Sequence, residues 1–361
     1  MRLNRGIKSI PMTKRMVVIF SLTLVSIAII IGGYTAYWFI ASSSIEKRII
    51  KWANTQKKTG LLFDVNVSEV RGYPLKFEVL FQKPEIKNIT DKWSWNADML
   101  AAHFRPWQFD KFTLINVGHN TVRYFDGKIW QEYHGDLEHG SASLNIDRQQ
   151  IEKFLINLEN ITISRLSDNT TYIIESVQTE VEKFQNTSSD EDLISKKFAA
   201  AKMNIQDLQL PPNFDEEMGN TVEQFSFNVS IFGHIPTGDS DTPVQIWRDD
   251  GGTMEINSFH CRWGPLEIDT SGTVALDGEM RPIGSLTADI KGYGDVIDAM
   301  IMSNIIPLGD AFLAKVAFNM MADKPEDGGP RVLRSIPVIA QDGELFVGPV
   351  SVGKLPVLSL K

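Results

Sequence analysis

Residues 61–82 read LLFDVNVSEVRGYPLKFEVLFQ and contain two runs in which apolar and polar side chains alternate, with Leu80 as the exception in the second run. A period of two is typical of a β-strand that buries one face. Between the runs, Gly72 can adopt a positive φ, and Pro74 keeps the preceding residue extended. The stretch therefore predicts a pair of strands joined by a short turn.

The same alternation recurs toward the C-terminus, at 224–231, 266–276 and 286–290. Because these strands have one apolar and one polar face, an antiparallel sheet is favoured over a parallel one. Asp-Gly between β-prone runs is a strong hairpin signal. The three such pairs are Asp126–Gly127, Asp250–Gly251 and Asp342–Gly343.

Two further segments have helical patterns. Residues 191–203 follow a polar loop in which Ser189 or Asp190 would cap a helix. Residues 293–321 are apolar at helical spacing, are interrupted at Pro307, and would cover one face of the sheet. The predicted fold class is α+β and mostly β: an N-terminal transmembrane helix, then a large curved antiparallel sheet with a few covering helices.

Residues 17–41, VVIFSLTLVSIAIIIGGYTAYWFIA, contain no charged side chain. At about 1.5 Å per residue, a helix of this length crosses a hydrocarbon core of roughly 30 Å. A cleaved signal peptide is the alternative, but it has a shorter apolar region that ends in small residues. The sequence therefore predicts an uncleaved anchor, followed by a stalk helix over 42–60 that stops at Gly60.

The flanks of this anchor predict its orientation. Residues 1–16 are basic and would remain cytoplasmic, which places the rest of the chain on the opposite side of the membrane. Tyr37, Trp38 and Phe39 lie at the far end, where aromatic rings suit the headgroup layer. The basic residues of the tail are Arg2, Arg5, Lys8, Lys14 and Arg15.

Charge and cysteine content limit the function further. Five of the 36 basic residues lie in the tail, which leaves 31 against 45 acidic residues, or about −14, for the exported part. Nucleic-acid binding requires clustered basic residues, so this balance argues against a nucleic-acid partner. Cys261 is the single cysteine, so no intramolecular disulfide can form.

Groups that could carry chemistry are few, and none predicts a catalytic, cofactor or metal site. His134 and His139, with Glu132, Asp136 and Glu138, form the densest set of metal-ligating residue types. Their spacing does not match the i,i+4 pair of a zinc-binding helix, and histidines five apart on one strand would face opposite sides. A solvated hairpin edge is the favoured interpretation.

Two short motifs contain residue types that are used in catalysis, but neither supports a catalytic site. Residues 238–241, GDSD, resemble the start of a lipase signature but lie in a polar loop. His260 precedes Cys261, and adjacency in sequence does not establish a hydrogen bond. A membrane-tethered hydrolase remains an alternative that would require His103, His119 or His260 beside carboxylates in a cleft.

Aromatic residues are dense between residues 93 and 130. Packing into the core is the default explanation for them. The alternative is an apolar groove that holds an acyl chain or a segment of a partner. The candidate groove residues are Trp93, Trp95, Phe104, Trp107 and Trp130.

Four blocks of this sequence stand out: Arg71–Ile86, Trp93–Leu114, Gly272–Tyr293 and Val338–Leu358. In this order they resemble the bacterial family called domain of unknown function 2125. They are spread over nearly all of the chain beyond the anchor, and none is a catalytic signature. The resemblance implies an alphaproteobacterial envelope protein anchored in the inner membrane. The architecture is more distantly similar to AsmA-like envelope proteins, which are linked to lipid transport and outer-membrane homeostasis.

These observations predict a single-pass inner-membrane protein that is not an enzyme. Residues 61–361 would form its periplasmic part, either as one body or as two halves, 61–185 and 221–361, joined by a partly helical connector. Its expected partners are the bilayer and either a lipid ligand or an envelope protein. The alternative to lipid handling is a scaffold that recruits a partner protein by β-strand addition.

Overall fold

The computed structural model describes residues 14–57, 60–90, 92–147, 150–184, 196–212, 218–235, 243–324 and 329–358. The predictions made for the first part of the basic tail, for the cap residues Ser189 and Asp190, and for the loop 238–241 lie outside these ranges.

The described chain forms one antiparallel sheet of sixteen strands and four helices. The strands are β1 (Leu61–Arg71), β2 (Phe77–Asn88), β3 (Trp93–Ala97), β4 (Met99–Arg105), β5 (Gln108–Phe125), β6 (Trp130–Asp147), β7 (Gln150–Arg165), β8 (Thr170–Lys183), β9 (Lys197–Gln209), β10 (Thr221–Phe232), β11 (Thr253–Trp263), β12 (Leu266–Leu276), β13 (Pro282–Lys291), β14 (Val332–Gln341), β15 (Glu344–Val347) and β16 (Val350–Lys354). The helices are α1 (Lys14–Gln56), α2 (Pro243–Asp249), α3 (Tyr293–Met302) and α4 (Leu308–Met321).

The sheet is a meander in which nearly every strand pairs with the next one in the chain. The exception is a single interrupted strand: β3 and β4 lie on either side of Asp98, and both run between β2 and β5. The prediction of a mostly β protein with a large antiparallel sheet is confirmed. Since each hairpin joins sequence neighbours, the order of the strands follows from local turns.

Two of the three predicted Asp-Gly turns are hairpins. Asp126 precedes Gly127 (φ +98°) between β5 and β6, and its carboxylate accepts hydrogen bonds from the backbone of Lys128 and Ile129. Asp342 (φ +53°) and Gly343 (φ +77°) join β14 to β15 with the positive φ values that a tight hairpin turn requires.

The hairpin predicted at Asp250–Gly251 is wrong for the run before the turn. The residues that precede Asp250 form the helix α2 and not a strand. Trp247 is buried, and its Nε1 donates a hydrogen bond to the Phe232 carbonyl at 2.7 Å. Its indole lies against Gly252, where a Cβ would come within 2.2 Å of the ring. Burial of one tryptophan against the end of β10 therefore outweighs the β propensity of this run.

The predicted helix over 191–203 is also wrong where the structure describes it. Residues 197–209 form β9, which pairs with β8 on one side and β10 on the other. The alanine-rich start favours a helix only weakly, and backbone pairing along both edges outweighs it. The segment predicted to be a partly helical connector therefore contributes a central strand, and one sheet runs without a break through β8, β9 and β10.

The two faces of the sheet differ in character along its whole width. Residues paired across neighbouring strands share a face, so the register identifies rows of side chains. We call the two sides the apolar face and the polar face. One row of the apolar face, the cross-sheet row, is Phe81, Leu100, Asn116, Gly140, Leu158, Val177, Ile205, Phe225, Cys261, Ile268, Ile290 and Leu333. One row of the polar face is Glu78, His103, Thr113, Ser143, Leu155, Glu180, Lys202, Asn228 and Ser258.

Helix α1 covers the first end of the apolar face. It is continuous from Lys14 to Gln56, so the predicted span and stalk are one helix. Trp38 stacks on Phe77 with ring centroids 5.1 Å apart, and Trp52 packs on Phe63 at 4.9 Å. The second half of α1 therefore runs along β1 in the opposite direction to the strand.

The α3–α4 pair covers the other end. As predicted, Pro307 separates two helices, with α4 beginning at the next residue. Tyr293 and Phe318 pack edge to face at 5.8 Å above Leu333 of β14, which is 1% exposed. The remaining buried members of this cluster are Ala288, Ile297, Ala311 and Ile336.

Candidate functional site: the uncovered apolar face

The middle of the apolar face is not buried. In the cross-sheet row, Phe81 is 7% exposed beneath α1 and Leu333 is 1% exposed near α3 and α4. The row members between them on β7–β12 are only half-buried. Among the described apolar side chains of β5–β11, only Ile161 and Val222 belong to the buried core. The sheet therefore has a packed core at each end and an apolar surface between them.

No second layer of described residues covers this middle section. Helix α1 packs on β1, α3 packs on β12, and the extensive contacts between strands all join hydrogen-bonded neighbours. The sheet is consequently open and does not fold back on itself as a closed barrel does. A contiguous apolar surface of this extent is typical of an interaction site.

Aromatic rings line part of this surface. Phe225 and Phe227 of β10 lie 6.2 Å apart, and Phe259 of β11 packs edge to face on Phe225 at 5.4 Å. On the other side of the middle section, Tyr124 of β5 stacks on Tyr133 of β6 at 6.1 Å. These rings contact one another within a strand or across neighbouring strands of the apolar face.

The structure separates the five groove residues predicted from sequence. Trp93 and Trp95 lie on the apolar face of β3. Phe104 shares that face but packs on Phe77 under α1 at 5.3 Å. Trp107 lies in the β4–β5 turn and is 59% exposed. Trp130 lies on the polar face, with the Arg123 guanidinium 5.4 Å from its ring.

The side chains that form the uncovered surface lie on strands that composition alone did not single out. Leu158 and Ile205 lie in the middle of the cross-sheet row. Both belong to runs in which apolar and polar residues alternate. Their signal in the sequence was the period of two. The density of aromatic residues pointed instead to the start of the sheet, where α1 supplies a cover.

The predicted anchor flank has two different environments. Trp38 is 3% exposed and belongs to the core beneath α1, so it is not available to lipid. Phe39 is 58% exposed and stacks on Tyr73 at 5.9 Å. Tyr37 donates a hydrogen bond from its hydroxyl to the Pro106 carbonyl at 2.8 Å. The aromatic flank therefore attaches the helix to the sheet.

Three histidines lie beside carboxylates, and one of them, His103, also lines a cleft on the polar face, which is the arrangement that the hydrolase alternative requires. His119 is 3.1 Å from Asp136, His260 is 2.8 Å from Asp269, and His103 is 3.7 Å from Glu78. Each pair consists of directly opposed residues on neighbouring strands. Within the described chain, these histidines have no hydrogen bond to a serine, threonine or cysteine side chain.

The remaining candidates give no metal site in the described residues. His134 bridges His119 at 3.3 Å and Glu132 at 3.0 Å on β6, an interior strand, so the predicted position at a hairpin edge is wrong. His139 is an exposed residue of the same strand. Cys261 lies on the apolar face, opposite to His260, and burial raises the pKa of its thiol.

Glu78, on the polar face of β2, is paired with two cations. Its carboxylate accepts hydrogen bonds from Arg71 at 2.8 Å and contacts the Lys76 ammonium at 2.9 Å. The bond from Arg71, followed by that from Lys76, lowers the pKa of Glu78 to about 2. Because this pKa lies below that of the unfolded chain, its stabilisation is complete above about pH 4.5 and is lost as the pH falls through about 2.

We therefore expect Glu78→Gln to lower the free energy of unfolding by about 1–2 kcal/mol at pH 7, a value reduced for the solvent-exposed partners. The difference from wild type should shrink as the pH approaches 2. Urea unfolding at several pH values measures both. Glu69→Gln is the matched control, because Glu69 is 55% exposed and lies 3.8 Å from Arg71. An equal loss in both variants would contradict the assignment.

Residues 38–356 match the family described as an uncharacterized protein conserved in bacteria, DUF2125. The chain belongs to the DUF2125 family. The match starts at Trp38, where α1 becomes buried on the sheet, and ends after β16. The DUF2125 region therefore contains the whole sheet together with the helical segment that packs on it. No curated protein and no solved structure matches the chain.

The first part of α1 lies outside the DUF2125 match. The helix is long and apolar enough to cross a membrane, with a mean hydropathy of 2.4 in its most apolar window, none of which is buried. By length and composition, both a membrane span and a signal sequence are consistent with it. The resemblance to DUF2125 stated from the sequence is confirmed.

Proposed function

We propose that this DUF2125 protein is anchored in a membrane by α1 and holds the acyl chains of a lipid against the uncovered part of its apolar face, without catalysing a reaction. One observation carries this proposal. Among the described residues, α1, α3 and α4 cover the two ends of the apolar face, and the cross-sheet row between them is half-buried from β7 to β12. Water in contact with so much apolar surface is unfavourable, so an apolar guest that covers it gains free energy.

The dimensions of the surface fit such a guest. From β7 to β12 there are five strand spacings in the sheet, which correspond to about 24 Å at about 4.8 Å per strand. The acyl chains of one leaflet extend about 15 Å, half of a hydrocarbon core of roughly 30 Å. A lipid tail lying across the strands therefore fits within the uncovered section.

The contacts of α1 favour a retained anchor over a cleaved signal sequence. Trp38, Ile45 and Ala53 of this helix are 3%, 7% and 6% exposed and belong to the folded core. Cleavage after the apolar segment would remove Trp38 and expose Phe77, which is fully buried. With the basic tail retained on the cytoplasmic side, the sheet would lie in the periplasm beside the inner membrane.

A non-catalytic role agrees with the polar face. The three histidine–carboxylate pairs are cross-strand pairs of the kind that stabilise sheets. A serine or cysteine hydrolase needs a nucleophile hydrogen-bonded to a base, and the described contacts of these histidines supply none.

Mass spectrometry of lipid bound to the purified full-length protein tests the proposal. We expect wild type to retain phospholipid through detergent washing and Leu158→Asp/Ile205→Asp to lose most of it. The matched control is Asn157→Asp/Gln206→Asp, which adds the same charges to the polar face of the same strands. Circular dichroism verifies that each variant is folded. Equal lipid content in the two double variants would refute the proposal.

A second candidate is a scaffold that adds a strand from a partner protein. In the described chain, β1 and β16 each pair along one edge only. An unpaired edge is a template for another strand. β1 carries two register irregularities, and β16 has five residues, so both are poor templates. Crosslinking in cells from position 66 of β1 that captures another protein would favour this candidate.

A further inference from the structure

Two loops of the sheet meet α1 where its exposed section ends. Every residue of α1 from 17 to 33 is exposed. At the next turn, the Tyr34 hydroxyl donates a hydrogen bond to the Pro74 carbonyl, and the Thr35 hydroxyl lies 2.7 Å from that of Tyr73. Tyr37 reaches the Pro106 carbonyl. The β1–β2 and β4–β5 turns are therefore fixed at the level where the apolar helix leaves its exposed section.

The tips of these turns carry large apolar side chains in solvent. Leu75 is 68% exposed, Trp107 is 59% exposed and Phe109 is 57% exposed, while Tyr73 is 44% exposed beside them. Tyr73 stacks on Phe39, and Phe109 contacts the ring of Phe104 at 5.8 Å, but Leu75 and Trp107 are each more than half exposed. Aromatic and aliphatic side chains at this level suit the boundary between headgroups and acyl chains.

A basic cleft lies immediately behind these tips, on the polar face. It has a volume of about 630 Å³, and its lining includes Lys76, His103, Arg105 and Lys111 but no carboxylate. Lys76 is paired with Glu78. Arg105 and Lys111 are exposed and have no acidic partner in the described chain, although Asp110 is a sequence neighbour of Lys111. Arginine and lysine side chains bind phosphate groups through charge-assisted hydrogen bonds.

We propose that these two turns and the basic cleft form a docking surface for the headgroup layer of the bilayer that α1 crosses. Leu75, Trp107 and Phe109 enter the layer, and Arg105 and Lys111 contact lipid phosphates. The inference rests on the proposed function only in requiring that α1 spans a membrane. Docking orients the strands so that they extend away from the membrane surface, because the second half of α1 runs along β1. It also brings the first strands of the apolar face to the membrane surface.

The opposite end of the same strands supplies a control. Phe125, Ile129 and Trp130 are also exposed, at 40%, 56% and 44%, in the β5–β6 hairpin. Trp107 precedes β5 and Phe125 ends it, so about 60 Å separate the two clusters at about 3.3 Å per residue. A docked sheet therefore places Trp107 in lipid and Trp130 in water.

Quenching of tryptophan fluorescence by brominated lipids distinguishes these positions. The full-length protein is reconstituted in vesicles of phosphatidylethanolamine and phosphatidylglycerol that contain dibrominated acyl chains. Flotation after a carbonate wash first establishes that α1 is inserted. We expect Trp107→Phe to lose part of the quenching and Trp130→Phe to lose none. Arg105→Gln/Lys111→Gln should reduce quenching, whereas Lys92→Gln/Lys128→Gln at the far end should not.

The outcomes separate the two proposals. If the protein does not float, α1 is not a span, and both the anchored function and the docking surface are refuted. If it floats and Trp107→Phe leaves quenching unchanged, or Trp130→Phe reduces it equally, the docking surface alone is refuted.

Discussion

Replacing Trp38 by alanine should lower the free energy of unfolding by about 3–5 kcal/mol, the cost of removing a large aromatic side chain from a core. Trp38 is 3% exposed and lies between Phe77, at 5.1 Å, and Tyr73, at 5.5 Å. Its removal would leave a cavity over Phe77 and Val79, which are fully buried. Urea unfolding of the detergent-solubilised protein, monitored by circular dichroism, measures the loss.

Phe39→Ala is the control for this variant. Phe39 is the next residue of the helix and is 58% exposed, so its loss should cost less than about 1 kcal/mol. Comparable destabilisation by both substitutions would show that position 38 has no special role in the core. The packing of α1 on the sheet would then be wrong.

Deleting residues 17–33 should move the protein from the membrane fraction to the soluble fraction without unfolding the sheet. These residues are all exposed, whereas contacts with the sheet begin at Tyr34. The deletion removes the apolar segment and keeps Trp38, Ile45 and Ala53 in place. Fractionation after carbonate extraction, with the circular dichroism spectrum of the soluble product, provides the measurement.

A longer deletion, of residues 17–53, provides the comparison. It removes the core side chains of α1 as well, so the product should be unfolded or aggregated. A folded product from the longer deletion would contradict the role of α1 as a cover for the sheet. A short-deletion product that remains in the membrane would contradict the proposal that the exposed apolar section of α1 anchors the protein.

Much of the sheet could be predicted because its signals are local. Period-two runs identified strands of the hairpin at 61–82 and of β10, β12 and β13, and Asp-Gly pairs identified two of the turns. In a meander, each strand pairs with its neighbour in sequence, so local signals also give the strand order. Pro307 divided the α3–α4 pair for a similarly local reason, since proline begins a helix well and continues it poorly.

The errors arose where a long-range contact outweighs a local preference. Residues 197–203 have a helical composition, but both edges of β9 are hydrogen-bonded in the sheet. Trp247 lies in a β-prone run, but its burial against Gly252 requires a helical turn. His134 was predicted at a sheet edge because the residues around it carry no signal that β7 pairs with the other side of β6.

The position of the candidate site could not be predicted from the sequence. The sequence favours core packing for the dense aromatic residues and leaves an apolar groove as the alternative. The groove was assigned to the region of highest aromatic density, of which Trp93 and Trp95 share the apolar face. Which rows remain uncovered depends on where α1, α3 and α4 pack, and a sequence pattern carries no signal for that placement.

Photocrosslinking from the apolar face tests the central claim most directly. A benzophenone amino acid placed at Phe227, in the uncovered section, should give an adduct with the mass of a phospholipid when the full-length protein is irradiated in cells. The same probe at Ser226, the adjacent residue on the polar face, should give none. Absence of a lipid adduct at both positions, or equal adducts at both, would contradict lipid binding by the apolar face.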